Sequence, residues 1–565
     1  MAHDPACVGA EHALIAGDAP AAVLRYRGLI ATAPAHIEAR YGLASALAAV
    51  GEDAAASAAL EDARTLHGLL LAKGAGADLN RMQADGDYAA AVGAELYAAH
   101  HVAAASVAFG RAVAAGHKSQ AGLISYGLSL QHQGRAEEAI AVFRAALELY
   151  PSAAVHQFML YPHFLVENGP ARYAAEARAW AARWTPEAEA PIFANSPSAG
   201  RRLRIGYVAP AFGALQVRQF ITPILEAHDP AAVAVFLYPA TAEHEGGWPE
   251  HIAVRPIGHL PDAESAALIR DDAVDVLIDC WGHSAGSRLG VFARRAAPVQ
   301  AAWINFVQTT GLSRMDYVLH ADGMDPPGAE ALFTETIQSV GPIFIPYRPH
   351  SERPAPSPTP ALASGQVTFG SFNHPAKLSD ATVGAWSRIL RGRPGSRLVL
   401  KYRYFVDPVM QAVTRARFLA EGVEPARIEF RGQSDGAEYL AAFAEIDLAL
   451  DPSPCPGGTT TCDALANGLP VLTLEGPDFY SRIGVQALIA IGAPQLIAAD
   501  WDDYVATAVA LSEDVSALDA LRARIRPGFD ASVYRDEAGF TRRLERTLRE
   551  MFDRGWAAEA ARSAA

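Results

Sequence analysis

The sequence predicts a helical N-terminal region followed by two α/β halves, each built on a parallel sheet. Residues 1–190 are rich in alanine and place apolar residues at helical spacing. From residue 196 to 350, short apolar runs alternate with helical patterns, as they do in α/β proteins. The proline-rich stretch 351–365 predicts a linker, and the alternation restarts over residues 366–565.

The helical region contains a repeated pattern. Positions 17, 51, 100 and 134 are each followed by an alanine five residues on and by a large residue nine residues on: Tyr26, Leu60, Phe109 and Phe143. The starting positions form two pairs, each separated by 34 residues, and the alanine and the large residue share one helix face. The pattern resembles the tetratricopeptide repeat, which presents a groove to protein partners. A non-repetitive helical bundle is the alternative.

The predicted strands are short and mostly apolar, as expected where helices cover both faces of a parallel sheet. In the first half they cover 202–210, 233–238, 274–279 and 299–304, with a helix at 264–270. In the second half they cover 367–372, 397–401, 428–431, 448–451 and 471–474, with a helix at 379–391 and a helical segment from about 515. Such sheets bind ligands at the carboxyl ends of their strands, so we expect a ligand crevice between the halves.

Composition and charge narrow the functional classes. A chain of 565 residues is too long for one core, and a net charge of −15 disfavours a nucleic-acid surface. Four cysteines fit neither a zinc pattern nor a disulfide scaffold, so we expect no metal and a reducing cytoplasm. The N-terminus lacks a signal-peptide pattern, and no run of about 18 apolar residues predicts a membrane span.

One loop has the features of a phosphate site. It follows the apolar run ending at Leu450 and reads Asp-Pro-Ser-Pro-Cys-Pro-Gly-Gly-Thr-Thr-Thr-Cys-Asp over residues 451–463. Glycine lets a ligand approach the backbone closely, and a helix start offers unpaired N–H groups and partial positive charge. Together they suit a phosphate group. The alternative is an ordinary capped helix in a βα loop.

Residues 200–560 resemble the O-linked N-acetylglucosamine transferase family, in its bacterial branch with tetratricopeptide repeats. Four motifs carry the resemblance in order: Asp279-Cys-Trp-Gly-His283-Ser-Ala-Gly-Ser-Arg288-Leu, Phe369-Gly-Ser-Phe-Asn-His-Pro-Ala-Lys377, the loop at 457–465, and Gly468-Leu-Pro-Val-Leu-Thr473. The resemblance implies a family 41 glycosyltransferase of the B-type fold, with two Rossmann-like domains. It also implies inversion at the anomeric carbon, a nucleotide-sugar substrate, and no cofactor or metal.

The resemblance assigns roles to individual residues. Lys377 would neutralise the diphosphate leaving group as the glycosidic bond breaks, and His283 would contact the donor sugar or the acceptor. A capping or core histidine is the alternative for His283. Asp463 would accept hydrogen bonds from the ribose, and the loop amides would hold the phosphates. The full set expected to bind the nucleotide sugar is Asn373, His374, Tyr439, Gly457, Gly458, Thr459, Thr460 and Asp463.

Three departures from the family pattern lie where sugar or acceptor would bind. Leu215 stands where the family carries a histidine, and a leucine cannot accept a proton. The family favours Gly-Tyr-Pro where this chain has residues 305–308, and many members carry histidine or threonine at Gly458. Arg218 is a new cation that could pair with a carboxylate. Further expected sugar or acceptor contacts are Gln216, Gln308 and Thr309.

These residues predict a protein O-glycosyltransferase that modifies Ser or Thr of an acceptor recruited by the repeats. Flagellin, or its chaperone, is the first candidate partner. Three alternatives stay open. The donor is a CMP-linked nonulosonic acid rather than UDP-N-acetylglucosamine, the linkage is glucosyl to Asn, or the chain is a catalytically impaired scaffold.

Overall fold

The computed structural model describes residues 4–166, 168–185, 191–193, 195–196, 200–213, 215–241, 247–305, 308–349 and 353–564, with backbone alone at 215–217 and 557–564. The chain forms two compact units. The first contains residues 1–151, 353–475 and 495–526, and the second contains residues 152–352, 476–494 and 527–565.

Helices make up the regular structure described before residue 186. They are α1 (Val8–Ile15), α2 (Ala19–Thr32), α3 (Ile37–Ala49), α4 (Asp53–Gly74), α5 (Leu79–Ala84), α6 (Gly86–Ala98), α7 (Val102–Ala114), α8 (Gln120–Gln131), α9 (Ala136–Leu149), α10 (Ala153–Gln157) and α11 (Gly169–Trp184). A 3-10 helix lies at Tyr161–Leu165. Side chains that accept a first-turn N–H fix several starts: Asp18, Asp78, Asp85, Ser119 and Ser152.

The stretch from 200 to 349 carries the first sheet. Its strands are β1 (Leu203–Ala209), β2 (Val233–Pro239), β3 (Ile252–Val254), β4 (Val276–Asp279), β5 (Val299–Ala302), β6 (Tyr317–His320) and β7 (Thr336–Ser339). The helices between them are α12 (Leu215–Ala227), α13 (Asp262–Asp271) and α14 (Leu289–Phe292), with a 3-10 helix at Ala329–Leu332.

The stretch from 353 onward carries the second sheet. Its strands are β8 (Thr368–Ser371), β9 (Arg397–Lys401), β10 (Ile428–Arg431), β11 (Leu448–Leu450), β12 (Val471–Leu474) and β13 (Ile497–Ala498). Its helices are α15 (Ala361–Ser364), α16 (Asp380–Gly392), α17 (Pro408–Ala420), α18 (Gly436–Ala442), α19 (Thr459–Ala466), α20 (Ile483–Ala490), α21 (Trp501–Glu513), α22 (Val515–Ala531) and α23 (Glu537–Ala564). The 3-10 helices are Pro375–Lys377, Arg403–Val406, Pro425–Arg427, Phe443–Glu445, Tyr480–Arg482, Pro494–Leu496 and Val533–Arg535.

Both sheets have the doubly wound order of a Rossmann-like domain. The first sheet runs β3-β2-β1-β4-β5-β6-β7, and the second runs β10-β9-β8-β11-β12-β13. Neighbouring strands pair in parallel, for example β1 with β4 and β8 with β11. The predicted fold class, a helical array followed by two Rossmann-like α/β halves, is therefore confirmed.

The four repeat positions adopt the same backbone conformation. Gly17, Gly51, His100 and Gly134 all have positive φ, at 85°, 79°, 65° and 77°. Each lies two residues before a helix, namely α2, α4, α7 and α9. The repeat in the sequence thus corresponds to a repeated left-handed turn, which glycine adopts without strain and other residues adopt rarely.

The large residue of the repeat packs against a glycine on a neighbouring helix. Phe143 lies against Gly127 and Phe109 lies against Gly93, while Tyr26 lies against Gly42. All three aromatic side chains are at most 2% exposed. Helices approach this closely because the facing position has no side chain, so the glycine and the aromatic residue are one packing unit.

The helical array and the second sheet share the first compact unit, and one buried carboxylate joins them. Asp407, which is fully buried, accepts hydrogen bonds from the N–H groups of Ala103 at 2.7 Å and Ala104 at 3.3 Å. Its other oxygen accepts from Val409 at 2.9 Å. A single side chain therefore caps the starts of α7 and α17, and burial raises the pKa of this carboxyl group.

The compact units cut across the predicted segments 1–190, 196–350, 351–365 and 366–565. Helix α11 packs on the first sheet, where Trp180 shares a core with Val208 and Phe236. The end of the chain also belongs to the second unit. The predicted boundaries describe the order of elements along the chain, whereas packing groups them differently.

The proline-rich segment is held in place where the structure describes it. The guanidinium of Arg526 donates to the carbonyl of Pro354 at 2.5 Å, and that of Arg522 donates to the carbonyl of Ser357 at 3.0 Å. Asp519 accepts the N–H of Thr359 at 2.7 Å. Residues 353–360 are therefore packed within the first unit.

Cys7, Cys280, Cys455 and Cys462 are buried and form no disulfide bond with one another. No helix among the described residues is long and apolar enough to cross a membrane.

The packing of glycine against phenylalanine predicts a clear difference between two alanine substitutions. In Gly127→Ala the new methyl group would lie 2.3 Å from the Phe143 ring, so the free energy of unfolding should fall by about 1–3 kcal/mol. Gly28→Ala, in α2, meets no atom within 4 Å and should be neutral or stabilising. Denaturant unfolding followed by circular dichroism measures both, and equal effects would contradict this account of the repeat.

Candidate active site

The two motifs of the second half meet at one edge of its sheet. The motif at 373–377 follows β8, and the loop at 451–458 follows β11, which is its neighbour. The strand order reverses between β8 and β11, so the chain leaves these two strands in opposite directions. A parallel doubly wound sheet binds its ligand at such a switch point, at the carboxyl ends of the strands.

A buried carboxylate organises the loop. Asp451 is 2% exposed and accepts hydrogen bonds from the N–H of Gly457 at 3.2 Å and the hydroxyl of Thr461 at 3.1 Å. The amide of Asn373 donates to it at 3.5 Å, which links the β8 motif to the loop. Burial raises the pKa of Asp451 from 3.8 to about 6, and the hydrogen bond from Gly457 and the charge of Lys377 oppose that rise.

The start of α19 offers unpaired donors. The N–H groups of Gly458, Thr459 and Thr460 have no hydrogen-bond acceptor within the described part of the chain. All three residues are half-buried. Consecutive free amides at a helix start form a site for an anion.

The two glycines of the loop differ in their surroundings. A Cβ atom at Gly457 would lie 2.5 Å from the hydroxyl oxygen of Thr461, so the fold itself requires glycine there. At Gly458 a Cβ atom would meet nothing within 4 Å, and φ is −101°, which any residue adopts. The open space therefore lies beside Gly458, next to the free amides.

Lys377 lies across the loop. Its Nζ donates to the carbonyl of Pro456 at 2.7 Å, and two further N–H donors remain on the ammonium group. Lys377 is half-buried at the end of a 3-10 turn, which places its charge beside the amides of the loop. A cation and helix-start amides together form a site for a phosphate or diphosphate.

Asp463 lies one turn into α19. It is 4% exposed and accepts a hydrogen bond from the hydroxyl of Tyr439 at 3.0 Å. Burial and the neighbouring carboxylate raise the pKa of Tyr439 well above its usual value, so the tyrosine stays protonated and donates. The structure thus brings Tyr439 and Asp463 into contact, and a nucleotide contact at Tyr439 and a ribose contact at Asp463 stay predictions.

A histidine of the helical array completes this region and was not predicted from the sequence. The N–H of Ala376 donates to Nδ1 of His374 at 3.0 Å, which leaves the proton of neutral His374 on Nε2. That atom lies 3.1 Å from Nδ1 of His132, whose Nε2 lies 3.0 Å from the hydroxyl of Tyr97. Each ring must therefore donate through Nε2, toward the interior of the array.

Both histidines are held in the neutral form. Burial lowers the pKa of His132 to about 4, and burial with the charges of Lys377 and Arg403 lowers the pKa of His374 well below 6.5. The ring of Tyr404 packs on His132 with centroids 4.6 Å apart. The array therefore fixes the orientation of a residue in the predicted nucleotide site.

The remaining predicted residues belong to the second unit. His283 is 3% exposed, donates from Nε2 to the carbonyl of Thr310 at 2.8 Å, and has Nδ1 3.4 Å from the amide of Gln157. Burial lowers the pKa of His283 to about 4, so it is neutral. A neutral histidine with both nitrogens facing partners fits the core alternative raised for it, and its contact with sugar or acceptor stays a prediction.

The expected sugar contacts have different environments. Thr309 is fully buried and donates to Glu335 at 2.7 Å, and Gln308 is 2% exposed with no partner for its Oε1 among the described residues. Arg218 is exposed on α12. The side chains of Leu215 and Gln216, and residues 306–307 of the departing segment, lie outside the described residues. The described residues hold no group of three or more metal-ligating side chains.

The doubly wound sheets and the anion site at a strand switch point define the class as a glycosyltransferase of the B-type fold. Residues 135–344 and 359–542, more than half of the chain, match the family described as Glycosyl transferase family 41. The chain belongs to glycosyl transferase family 41.

Known proteins similar to this chain come from plants, animals and bacteria. A probable UDP-N-acetylglucosamine–peptide N-acetylglucosaminyltransferase SPINDLY of Petunia hybrida is 35% identical over 380 residues, 64% of this chain and 40% of that protein. A UDP-N-acetylglucosamine–peptide N-acetylglucosaminyltransferase of Caenorhabditis elegans is 23% identical, over 63% of this chain and 41% of its own length. The chain thus spans about two fifths of these curated relatives.

A solved structure shares the whole architecture. A lysine-to-methionine variant of the Thermobaculum terrenum O-GlcNAc transferase is 27% identical with a TM-score of 0.76, covering 99% of this chain and 100% of that one. The similarity includes the helical region as well as the two sheets.

Because the two loop glycines have different surroundings, substitution by alanine should destabilise the protein at one position and not at the other. Gly457→Ala should lower the free energy of unfolding by about 1–3 kcal/mol, because the methyl group clashes with Thr461 and crowds Asp451. Gly458→Ala should leave it within about 0.5 kcal/mol of wild type. Thermal unfolding of both variants measures this, and a destabilised Gly458→Ala would show that the space beside it is filled.

Burial of Asp451 predicts a pH-dependent stability. Its pKa is about 6 in the folded protein against 3.8 when exposed, so the folded state binds more protons between these values. The contribution of Asp451 should therefore fall as pH rises from about 4 to 6, by a total of about 3 kcal/mol. Denaturant midpoints across this range should be flatter for Asp451→Asn than for wild type or the exposed control Asp53→Asn. Parallel curves would exclude this role.

Proposed function

We propose that this protein transfers a sugar from a nucleotide-sugar donor to Ser or Thr side chains of a protein acceptor. The carrying observation is that the Lys377 ammonium group, which donates to the carbonyl of Pro456, and the free amides of Gly458, Thr459 and Thr460 meet at one loop at the switch point of the second sheet. The names of the relatives, which describe peptide N-acetylglucosaminyltransferases, support the same reaction class.

The loop and Lys377 stabilise the leaving group. In the transfer, the acceptor hydroxyl oxygen forms a bond to the anomeric carbon, the bond from that carbon to the phosphate oxygen breaks, and the hydroxyl proton is released to the departing diphosphate or to water. Negative charge grows on the departing diphosphate, and the Lys377 ammonium and the helix-start amides lie where such charge would be bound. In this scheme the configuration inverts, and Asp463 and Tyr439 bind the ribose.

We infer a nucleoside diphosphate sugar, with uridine diphosphate as the first carrier to test. A cation beside consecutive amides provides more donors than a monophosphate needs, which favours the diphosphate over the CMP-linked alternative. Arg218, exposed on α12, could pair with a carboxylate, so a carboxylated sugar remains an alternative donor. The acceptor is recruited by the helical array, with flagellin as the first candidate, and we expect the modification to take place in the cytoplasm.

Two other functions compete. An Asn-linked glucosyltransferase would use the same phosphate site and differ only in the acceptor. A catalytically impaired scaffold is favoured by Leu215 in place of the family histidine. Preservation of the anion site argues against the scaffold, because a scaffold needs neither Lys377 nor unpaired amides.

Lys377→Ala should lower sugar transfer by about 10²–10³-fold, since one donor to the developing charge is lost. The measurement is intact mass of a co-expressed candidate acceptor, which reports the added sugar and its occupancy together. Lys118→Ala, an exposed lysine of the array, is the matched control and should transfer at the wild-type rate. Unchanged transfer by Lys377→Ala would refute the mechanism.

The donor is identified by titration calorimetry with UDP, GDP and CMP. Gly458→Ala tests the location of the phosphates. Its methyl group enters the open space and should weaken the binding of the diphosphate. A preference for CMP over both diphosphates would overturn the diphosphate assignment. Wild-type protein that binds a diphosphate yet modifies no acceptor would favour the scaffold.

A further inference from the structure

A second cavity lies in the first compact unit, away from the phosphate loop. It has a volume of about 570 Å³, within the range of small-molecule sites. One wall comes from α1 and α3 of the array, and the other comes from α17 and the edge strand β10. Its charged lining residues are Glu11, Glu38, Arg397, Arg415, Arg427 and Glu429.

The cavity is distinct from the phosphate site. It is lined by Arg397 and Ile428, the first residues of β9 and β10, whereas the phosphate loop follows the last residue of β11. Strand β9 has five residues, so its two ends are about 13 Å apart. A ligand in this cavity would not compete directly with a nucleotide.

Two groups of opposite charge, Arg415 and Glu38, line the cavity without forming an ion pair with each other. Arg415 is half-buried, lies 4.7 Å from the centroid of the Phe430 ring and, among the described residues, donates only to Gln411, at 3.4 Å. Burial lowers the pKa of Arg415, and the charge of Glu38 opposes this lowering. Within the described chain neither Arg415 nor Glu38 forms an ion pair, although Glu38 accepts the N–H of Asp4 at 3.0 Å.

The other cations of the lining are already satisfied. Arg397 pairs with Glu429 at 2.9 Å, and Arg427 donates to the carbonyls of Ser396 and Leu390, both at 2.7 Å. Tyr41 lines the cavity, is 4% exposed, and its hydroxyl has no hydrogen-bond partner in the described residues. A buried polar group without a partner costs about 1–3 kcal/mol, which a ligand could recover.

The walls differ in charge and share apolar surface. The array contributes the carboxylates Glu11 and Glu38, and α17 contributes the cation Arg415. Ala412, Ala416 and Leu419 of α17 add apolar lining. A ligand with one charge alone would be attracted by one wall and repelled by the other, whereas a ligand carrying both charges satisfies both.

We propose that this cavity binds a small zwitterion with an apolar body, the chemistry of an apolar α-amino acid or dipeptide. Its carboxylate pairs with the Arg415 guanidinium and its ammonium group pairs with Glu38. Its apolar body lies against α17 and the Phe430 ring. The structure thus assigns a second ligand site where the array meets the second sheet.

The test is titration calorimetry of the full chain with L-leucine and L-leucyl-L-leucine. N-acetyl-leucine lacks the ammonium group and leucinamide lacks the carboxylate, and each should bind at least about tenfold more weakly than leucine. Arg415→Gln should weaken the binding of leucine by a similar factor and leave the affinity for leucinamide unchanged. Glu38→Gln should weaken the binding of leucine and leave the affinity for N-acetyl-leucine unchanged.

Matched variants separate this site from the proposed phosphate site. Arg388→Gln removes an exposed arginine of α16 and should bind leucine like wild type, as should Lys377→Ala. Arg415→Lys, which keeps the charge, should retain more affinity than Arg415→Gln if the latter is folded by its thermal transition. Absence of binding at millimolar leucine and leucyl-leucine, or equal binding of leucine and N-acetyl-leucine, would overturn the proposal.

Discussion

The carboxylate of Asp451 is the interaction on which the candidate active site depends. It lies just beyond a buried strand and gathers a loop amide, a helix hydroxyl and the Asn373 amide around two oxygens. These bonds orient the loop so that the amides at the start of α19 stay free. The cost is a carboxylate removed from water, which explains its raised pKa. A phosphate site formed of backbone donors needs such an anchor, because the loop has no regular structure of its own.

Strands and helices whose sequences have a strong apolar pattern could be predicted, whereas elements with a weak pattern could not. Strands β1, β2, β4, β5, β8, β9, β11 and β12 follow apolar runs that burial on both faces demands, whereas β10, which was also predicted and lies at the edge of its sheet, alternates apolar and charged residues. Strand β7 reads Thr-Ile-Gln-Ser and is partly exposed, and β13 has two residues, so neither carries a periodic signal. The ties of the proline-rich segment were also invisible, because the arginines that hold it lie more than 160 residues further along the chain.

The same distinction holds for the candidate site. The glycines and threonines of the loop, Lys377 and Asp463 form a local motif that the sequence shows directly. The contact of His132 with His374 spans 242 residues, and His132 itself ends an ordinary helix, so no local pattern marks it. The phosphate site was predicted from residue types alone. To decide which of the two loop glycines the fold requires, the atoms around each of them had to be known.

Asp407 caps α7, and His374 donates a hydrogen bond to His132. The helical array is therefore part of the packing of the first compact unit. Exchange of repeat modules between related enzymes is a natural route to new acceptors, because each repeat contacts mainly its neighbours. In this chain α7 and the end of α8 are hydrogen-bonded to the second-sheet part of the first unit, and the earlier helices α1, α3 and α4 pack on α17. Exchange of repeats is therefore constrained along the array, and in α3 the hydroxyl of Ser45, which donates to the carbonyl of Ala416, adds to the constraint.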